Sequence, residues 1–301
     1  MSKAVKAKKA SGWQTAKDFF LAVVAKAGQD NLPRLASSFS FFALLSFAPF
    51  LVFAVTIGAL LLGRNQASDH LLTQAAQIGG PQLRDYLETI INSSQHRATG
   101  VIATVLSLGV TFYSASNLFM NLDDAVNSIW GIKAGPSFIK NLITTRIVAF
   151  LAVLIFGGIL MAWLVMDMVL GYIAKQNSQS GAWAPVSFLA TIFFFTFAFS
   201  ITLHSLPRKK LHWRDAFPGA AITGISFAVS KFLLAFYFQR LSGVYTAAGG
   251  VVVLLLWMYY SSMIYFLGVD ITYVYSHSFG SLKDKAEESA TLASNPALQT
   301  S

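Results

Sequence analysis

Apolar residues run in long blocks along this chain, and charged residues collect in the gaps between them. Crossing the hydrocarbon of a bilayer as a helix takes about 20 apolar residues. Six segments reach that length: 38–62, 100–122, 147–166 (inside a longer run, 143–170), 185–206, 216–238 and 244–269. Four of them are free of charge, 185–206 carries only His204, and 216–238 carries Lys231. The sixth continues past Asp270 to about Tyr275. A soluble core helix would show a polar residue at every third or fourth position. The pattern predicts an all-α, polytopic membrane protein with six transmembrane helices over residues 38–275.

Two further stretches have helical rather than continuous apolar spacing. In the segment 1–37, Trp13, Ala16, Phe20, Val24 and Ala27 share one helical face, with Lys17 and Lys26 elsewhere. That predicts an amphipathic helix lying on the cytoplasmic leaflet, where lysines favour anionic lipid. Between the first two spans, Leu83, Tyr86, Leu87, Ile90 and Ile91 form a second such face. It packs on the membrane, caps the bundle, or is a plain connecting helix. Gly79-Gly80-Pro81 is expected to break this loop into two helices. The tail, 276–301, is small and polar and is expected to be disordered after about Ser278.

Composition narrows the class. Of the 301 residues 55% are apolar and 12% are charged, where soluble domains carry about 25% charge. This excludes an ordinary soluble enzyme, a disordered regulator and a coiled coil. The absence of cysteine excludes disulfides, thiolate metal sites and cysteine nucleophiles. The net charge of +9 could point to nucleic acid, but the positions of the charges decide. Sixteen of the 22 basic residues fall before span one, after spans two and four, or in the tail. Five fall on the opposite side, and Lys231 is inside a span. By the positive-inside rule both termini are cytoplasmic. Trp13, Trp130 and Trp213 lie near the cytoplasmic ends and Trp183 near an outer end, the places of an aromatic belt. The first span is too long, and too far from the N-terminus, for a cleaved signal peptide.

Charges at membrane depth carry a functional expectation. Lys231 lies about 15 residues, roughly 22 Å, into the fifth span. Asp167, near the outer end of the third span, is within reach of a snorkelling lysine. Asp270, near the cytoplasmic end of the sixth, is too far in depth to pair with Lys231. Lys231 either snorkels or pairs structurally, or it faces the headgroup of an anionic amphiphile. Asp270 is a cap or interface residue, or it joins Lys231 and Asp167 as a substrate-binding set. Asp123 and Asp124 are expected simply to terminate the second span.

Pro49 removes one backbone hydrogen bond mid-span and should kink the helix, for packing or for movement. Ser46 or Ser40 could satisfy the carbonyl that it frees. Pro218-Gly219-Ala220 is expected to open the fifth span, with Gly219 and Ala220 allowing a close helix contact. Gly249 and Gly250, at the start of the sixth span, either pack closely or act as a hinge.

Several stretches resemble, in order, the YihY/BrkB family of bacterial inner-membrane proteins. Leu35-Ala36 through Phe39, with Phe41-Phe42-Ala43-Leu44-Leu45-Ser46-Phe47-Ala48-Pro49, resembles its first-span signature. Leu122-Asp123-Asp124-Ala125-Val126-Asn127-Ser128-Ile129-Trp130, Phe217-Pro218-Gly219-Ala220, and Lys231-Phe232 with Tyr237 resemble later elements. Leu254-Leu255-Leu256-Trp257-Met258-Tyr259-Tyr260 leading to Leu267-Gly268-Val269-Asp270 resembles its last span. That span usually ends in Gly-Ala-Glu; Val269 and Asp270 depart from this form but keep the acid. The resemblance implies six spans with both ends inside. It also brings an old ribonuclease BN label, an association of some members with serum resistance, and a link of some relatives to envelope lipid or lipopolysaccharide export.

The chemistry argues against the nuclease label. Metal-assisted phosphodiester cleavage needs clustered carboxylates or histidines, and the five histidines form no metal-binding motif. There is no phosphate-binding loop of the Walker type and no Gly-x-Ser-x-Gly element. The expected function is non-enzymatic and cofactor-free. It is handling or translocation of an anionic envelope lipid or other amphiphile in the bacterial inner membrane, with membrane lipids as partners and no nucleic acid. The alternative is a non-catalytic scaffold or partner subunit in envelope assembly, bound to another envelope protein.

Overall fold

The computed structural model describes residues 12–62, 64–96, 101–132, 180–209, 211–241 and 249–283, with positions 158, 162 and 166. The described residues form seven helices and no strand: α1 (Gly12–Gln29), α2 (Leu32–Leu62), α3 (Arg64–His96), α4 (Val101–Ile129), α5 (Ser180–Ser205), α6 (Trp213–Leu241) and α7 (Gly249–Ser278). Two stretches among them, Phe188–Ser205 in α5 and the whole of α7, are long and apolar enough to cross a membrane. Most of the third expected span lies outside the described residues.

Helix α7 is the hub and touches each of the other six. Its contact with α6 follows from small residues. A Cβ added at Gly219 would sit 1.9 Å from the Thr272 hydroxyl, and one at Gly268 would sit 1.9 Å from the Thr223 hydroxyl. The glycine of each helix therefore receives the threonine of the other, in an antiparallel register. Each threonine hydroxyl is satisfied within its own helix, Thr223 on the Gly219 carbonyl (2.6 Å) and Thr272 on the Gly268 carbonyl (2.9 Å). Close backbone approach with locally satisfied hydroxyls is how apolar helices associate where no hydrophobic drive separates helix from lipid. Gly224 does the same against Thr196 of α5.

The outer faces of α5 and α6 remain apolar. Ile222, Ile225, Val229, Leu233 and Phe236 form an exposed stripe along α6, and Leu189, Phe193 and Phe197 form one along α5. Contiguous apolar surface of this kind suits lipid better than water.

The bundle has two ends. The basic end gathers the C-terminal ends of α1, α4, α5 and α7 and the start of α6; its core includes Leu32, Ala36, Val126, Ile129, Leu203, Ala216, Phe266 and Val269. The far end packs Leu83, Leu87 and Ile91 of α3 against Leu51, Val55, Val253, Leu254 and Met258. The apolar face expected in this loop is thus a packed connecting helix on the bundle. Gly80 (φ 73°, ψ −169°) breaks α3 where Gly-Gly-Pro lies in the sequence.

Several boundaries differ from the expectation. Asp123 and Asp124 do not end a helix: α4 continues to Ile129 and stops at Gly131, whose φ of 69° leaves the helical region. The charges mark the end of the apolar stretch, which is a different thing from the end of the hydrogen-bond ladder. Likewise α6 begins at Trp213, so Pro218 lies inside it and not at its opening. Residues 279–283 extend order past Ser278, with Leu282 buried in the core of the basic end. Trp130 does not sit in an interfacial belt. It is 5% exposed and packs edge-on against Tyr273, with centroids 5.3 Å apart.

Candidate functional site

The chemistry of the described residues concentrates at the basic end. Asn31 (φ 52°) ends α1 in the left-handed region, which asparagine tolerates, and the chain turns directly into α2. The turn presses the last two turns of α1 onto α7, where Phe19 and Val23 meet Ile271 and Val274. Phe20, Leu21 and Val24 stay exposed on the other side. Helix α1 therefore has a lipid-type face and, behind it, an inner face that carries Lys26 and Asp30.

Lys26 forms an ion pair with Asp30 one turn on. Its ammonium also donates to the Ile129 carbonyl at the end of α4 (2.8 Å) and lies 4.5 Å from the centre of the Tyr273 ring. One lysine thus ties α1 to α4 and α7. Across from it is Asp270, 0% exposed. Neither Asp270 oxygen has a donor among the described residues. The charges that act on it among the described residues are those of Asp30 and Lys26. Two turns further along α7, past the apolar stretch, His277 packs against Tyr273 and Trp130.

Two other buried polar groups here are fully answered. Asn127 donates to the Asp123 carbonyl (2.8 Å) and accepts from the Arg208 backbone N–H (2.9 Å), so it pins the α5–α6 loop to α4. Asp123 also pairs with the Arg208 guanidinium. Asp215, at the start of α6, accepts from the Ser281 backbone N–H (3.2 Å) and from the Ser281 hydroxyl, and holds the segment after α7. Among the described residues no three His, Asp or Glu side chains gather around a position suited to a metal ion.

Residues 23–293 match the family described as Virulence factor BrkB. The chain belongs to this family. Among its relatives are the UPF0761 membrane protein RSc1559 of Ralstonia nicotianae, 27% identical over 252 residues, and the putative ribonuclease-like protein YfkH of Bacillus subtilis, 27% identical over 267 residues. The first alignment covers 82% of this chain and 56% of the relative; the second covers 85% and 92%. The chain thus spans little more than half of the Ralstonia protein. No solved structure matches it. The Ralstonia relative is a membrane protein by name, and this member of the BrkB family is a membrane protein.

The expected site residues of this BrkB-family chain do not converge. Gly249 and Gly250 open α7 and Asp270 lies twenty residues on from Gly250, about 30 Å along the helix. Gly250 is closely packed: a Cβ there would lie 2.5 Å from the Tyr86 Cβ and 2.6 Å from the Gln82 carbonyl. Pro49 lies within α2, which continues as one helix to Leu62. Ser46 and Ser40 do not serve the carbonyl that Pro49 frees, because Ser46 donates across to the Ser114 carbonyl of α4 (2.8 Å) and Ser40 to the Ser37 carbonyl. Asp167 lies outside the described residues.

Position 231 can be placed along α6. The Gly219–Thr272 and Thr223–Gly268 register puts it level with Tyr260, about ten residues or 15 Å from Asp270. The sequence reading missed Lys26 and Asp30 as site residues. Their signal was the spacing of four, which a solvated helix face shows equally often.

Proposed function

We propose that this BrkB-family protein is a six-span protein of the bacterial cytoplasmic membrane, with both termini inside, that handles or translocates an anionic envelope lipid or other amphiphile without enzymatic chemistry. The observation that carries this reading is the pair of exposed apolar stripes on α5 and α6, beside which the sequence sets the single basic residue of the fifth span, Lys231. A cation at that depth attracts a phosphate or carboxylate headgroup, while the apolar stripes of α5 and α6 match acyl chains. The exposed Phe20, Leu21 and Val24 of α1, with Lys17 alongside, add a contact with an anionic leaflet. The six spans and the orientation rest on the apolar segments and on the asymmetry of lysine and arginine.

Native mass spectrometry of the full chain released from membranes tests the proposal. An anionic lipid retained by the wild type and lost in Lys231→Met is the expected result. Wild type and variant carrying the same lipids would remove Lys231 from the mechanism. A stoichiometric protein partner with no retained lipid would favour the scaffold alternative.

A further inference from the structure

We propose that α2 and α4 form an open furrow on the outside of the bundle that takes the polar headgroup of a membrane lipid, with the lipid's chains alongside. The proposal rests on the reading of α4 as a membrane span and is independent of Lys231. On α4, Tyr113, Asn117, Asn121 and Asp124 recur at helical spacing and share one face. That face looks outward: Tyr113 and Asp124 are exposed, and Asn117 and Asn121 are half-buried. On α2, Arg34, Ser38, Phe41 and Leu45 share an exposed face in the same way. The two faces meet, because the Asn121 amide donates to the Ser38 hydroxyl at the surface (3.1 Å). This bond and that of the Ser46 hydroxyl to the Ser114 carbonyl (2.8 Å) set the helices antiparallel. Phe41 and Leu45 therefore lie alongside Asn117 and Tyr113.

Polar side chains within a span ordinarily face the bundle interior or a polar cavity. Here they face outward, from Asp124 at the basic end to Tyr113, about 16 Å along the helix. Acyl chains alone would leave the amides of this column without partners. Another helix is a poor match as well, because close helix contacts are built on small residues. Phe41, Leu45 and Tyr113 stand out from this surface at 55%, 56% and 58% exposure, while Ala36 and Ala115 are buried. A lipid lying in the furrow is matched on both sides. Asn117, Asn121 and Ser38 offer hydrogen bonds to its headgroup, and Phe41 and Leu45 offer apolar surface to its chains. The furrow opens at Arg34 and Asp124, at the basic end, where the headgroups of the adjoining leaflet lie.

The chain has no cysteine, so a single fluorescent bimane label can be placed at will. The test compares Asn117→Cys with Ile225→Cys in the full chain, in phosphatidylglycerol nanodiscs that carry a nitroxide lipid labelled either on its headgroup or half-way down its chain. Ile225 lies on the exposed apolar stripe of α6, twelve residues from the start of that helix, as Asn117 lies twelve from the end of α4. The headgroup nitroxide is expected to quench the label at Asn117→Cys more than the chain nitroxide does, with the order reversed at Ile225→Cys. Ser38→Cys, on the facing helix, gives the same reading should Asn117→Cys not fold. Stronger quenching by the chain nitroxide at both α4 and α6 overturns the proposal and leaves the spans standing. Quenching by neither lipid at Asn117→Cys and Ser38→Cys means that protein or water covers the furrow, and also overturns it. Quenching by neither at Ile225→Cys instead removes the six-span reading, and the proposal with it.

Discussion

The basic end of the bundle buries polar side chains, and the far end buries hydrocarbon. At the far end α3 lays Leu83, Leu87 and Ile91 on α2 and α7, and the tightest approach is that of Gly250 to the α3 backbone. At the basic end Asn127, Asp215, Thr223, Asp270, Thr272 and Ser276 are all buried. A buried polar group in an apolar bundle is costly unless it is answered. Asn127 and Asp215 spend their oxygens on backbone N–H groups of the α5–α6 loop and of the segment after α7, and so fix where the chain runs. Asp270 fixes nothing of that kind. The difference separates polar groups that shape the fold from one that has no donor among the described residues.

The far end should be the less forgiving of added volume. Gly250→Val would drive its side chain into the Tyr86 Cβ and the Gln82 carbonyl oxygen, neither of which can swing aside. Helix α3 would have to move, at a cost of about 3 kcal/mol. Thermal unfolding in detergent micelles should show the largest drop of any substitution discussed here. A drop of less than about 1 kcal/mol would mean that α3 is loosely held and that the contrast between the ends is false.

Charge, in turn, should dominate at the basic end. Lys26→Met keeps an aliphatic stem beside Tyr273 but removes the cation from Asp30 and the donor from the Ile129 carbonyl. Stranding such groups in a mostly buried place costs about 2 kcal/mol. Combining it with Asp30→Asn should recover part of the loss, because the stranded charge is removed with the lysine. If the double variant were no more stable than Lys26→Met alone, packing against Tyr273 would be the source of the effect.

Much of this architecture was legible in the sequence, for physical reasons that also set the limits. Continuous apolar blocks announce helices, and the Gly-Gly-Pro of α3 announces its break because few other residues permit φ 73°. The exposed side of α1 was legible from Phe20 and Val24. Its inner side was not, because a periodicity shows that a helix has faces but not which neighbour covers each. Lys26 and Asp30 read as a solvated pair until α7 is laid against them. Asp270 could be flagged as an acid at the end of a span, but its complete burial depends on helices from distant parts of the chain. The length of α4 was misread for a related reason: the apolar stretch ends at Asp123, whereas the backbone ladder continues to Ile129. At Lys231 the sequence supplied depth along α6, and the glycine–threonine register with α7 sets that depth level with Tyr260.

The smallest effect expected is that of Arg208→Ala, and it tests the comparison from within the basic end. Arg208 and Asp123 form an ion pair, but their side chains are 47% and 23% exposed. An exposed pair contributes about 0.5 kcal/mol and is screened by salt. The loop does not depend on it, because the backbone N–H of Arg208 is held by the buried Asn127 carbonyl oxygen (2.9 Å). The variant should therefore unfold close to the wild type, and the small gap should shrink further as salt is raised. A loss well above about 1 kcal/mol that salt leaves unchanged would show that Asp123 depends on Arg208 as a buried charge depends on its partner. The distinction between answered polar groups that shape this end and the unanswered Asp270 would then have to include Asp123 on the side of Asp270.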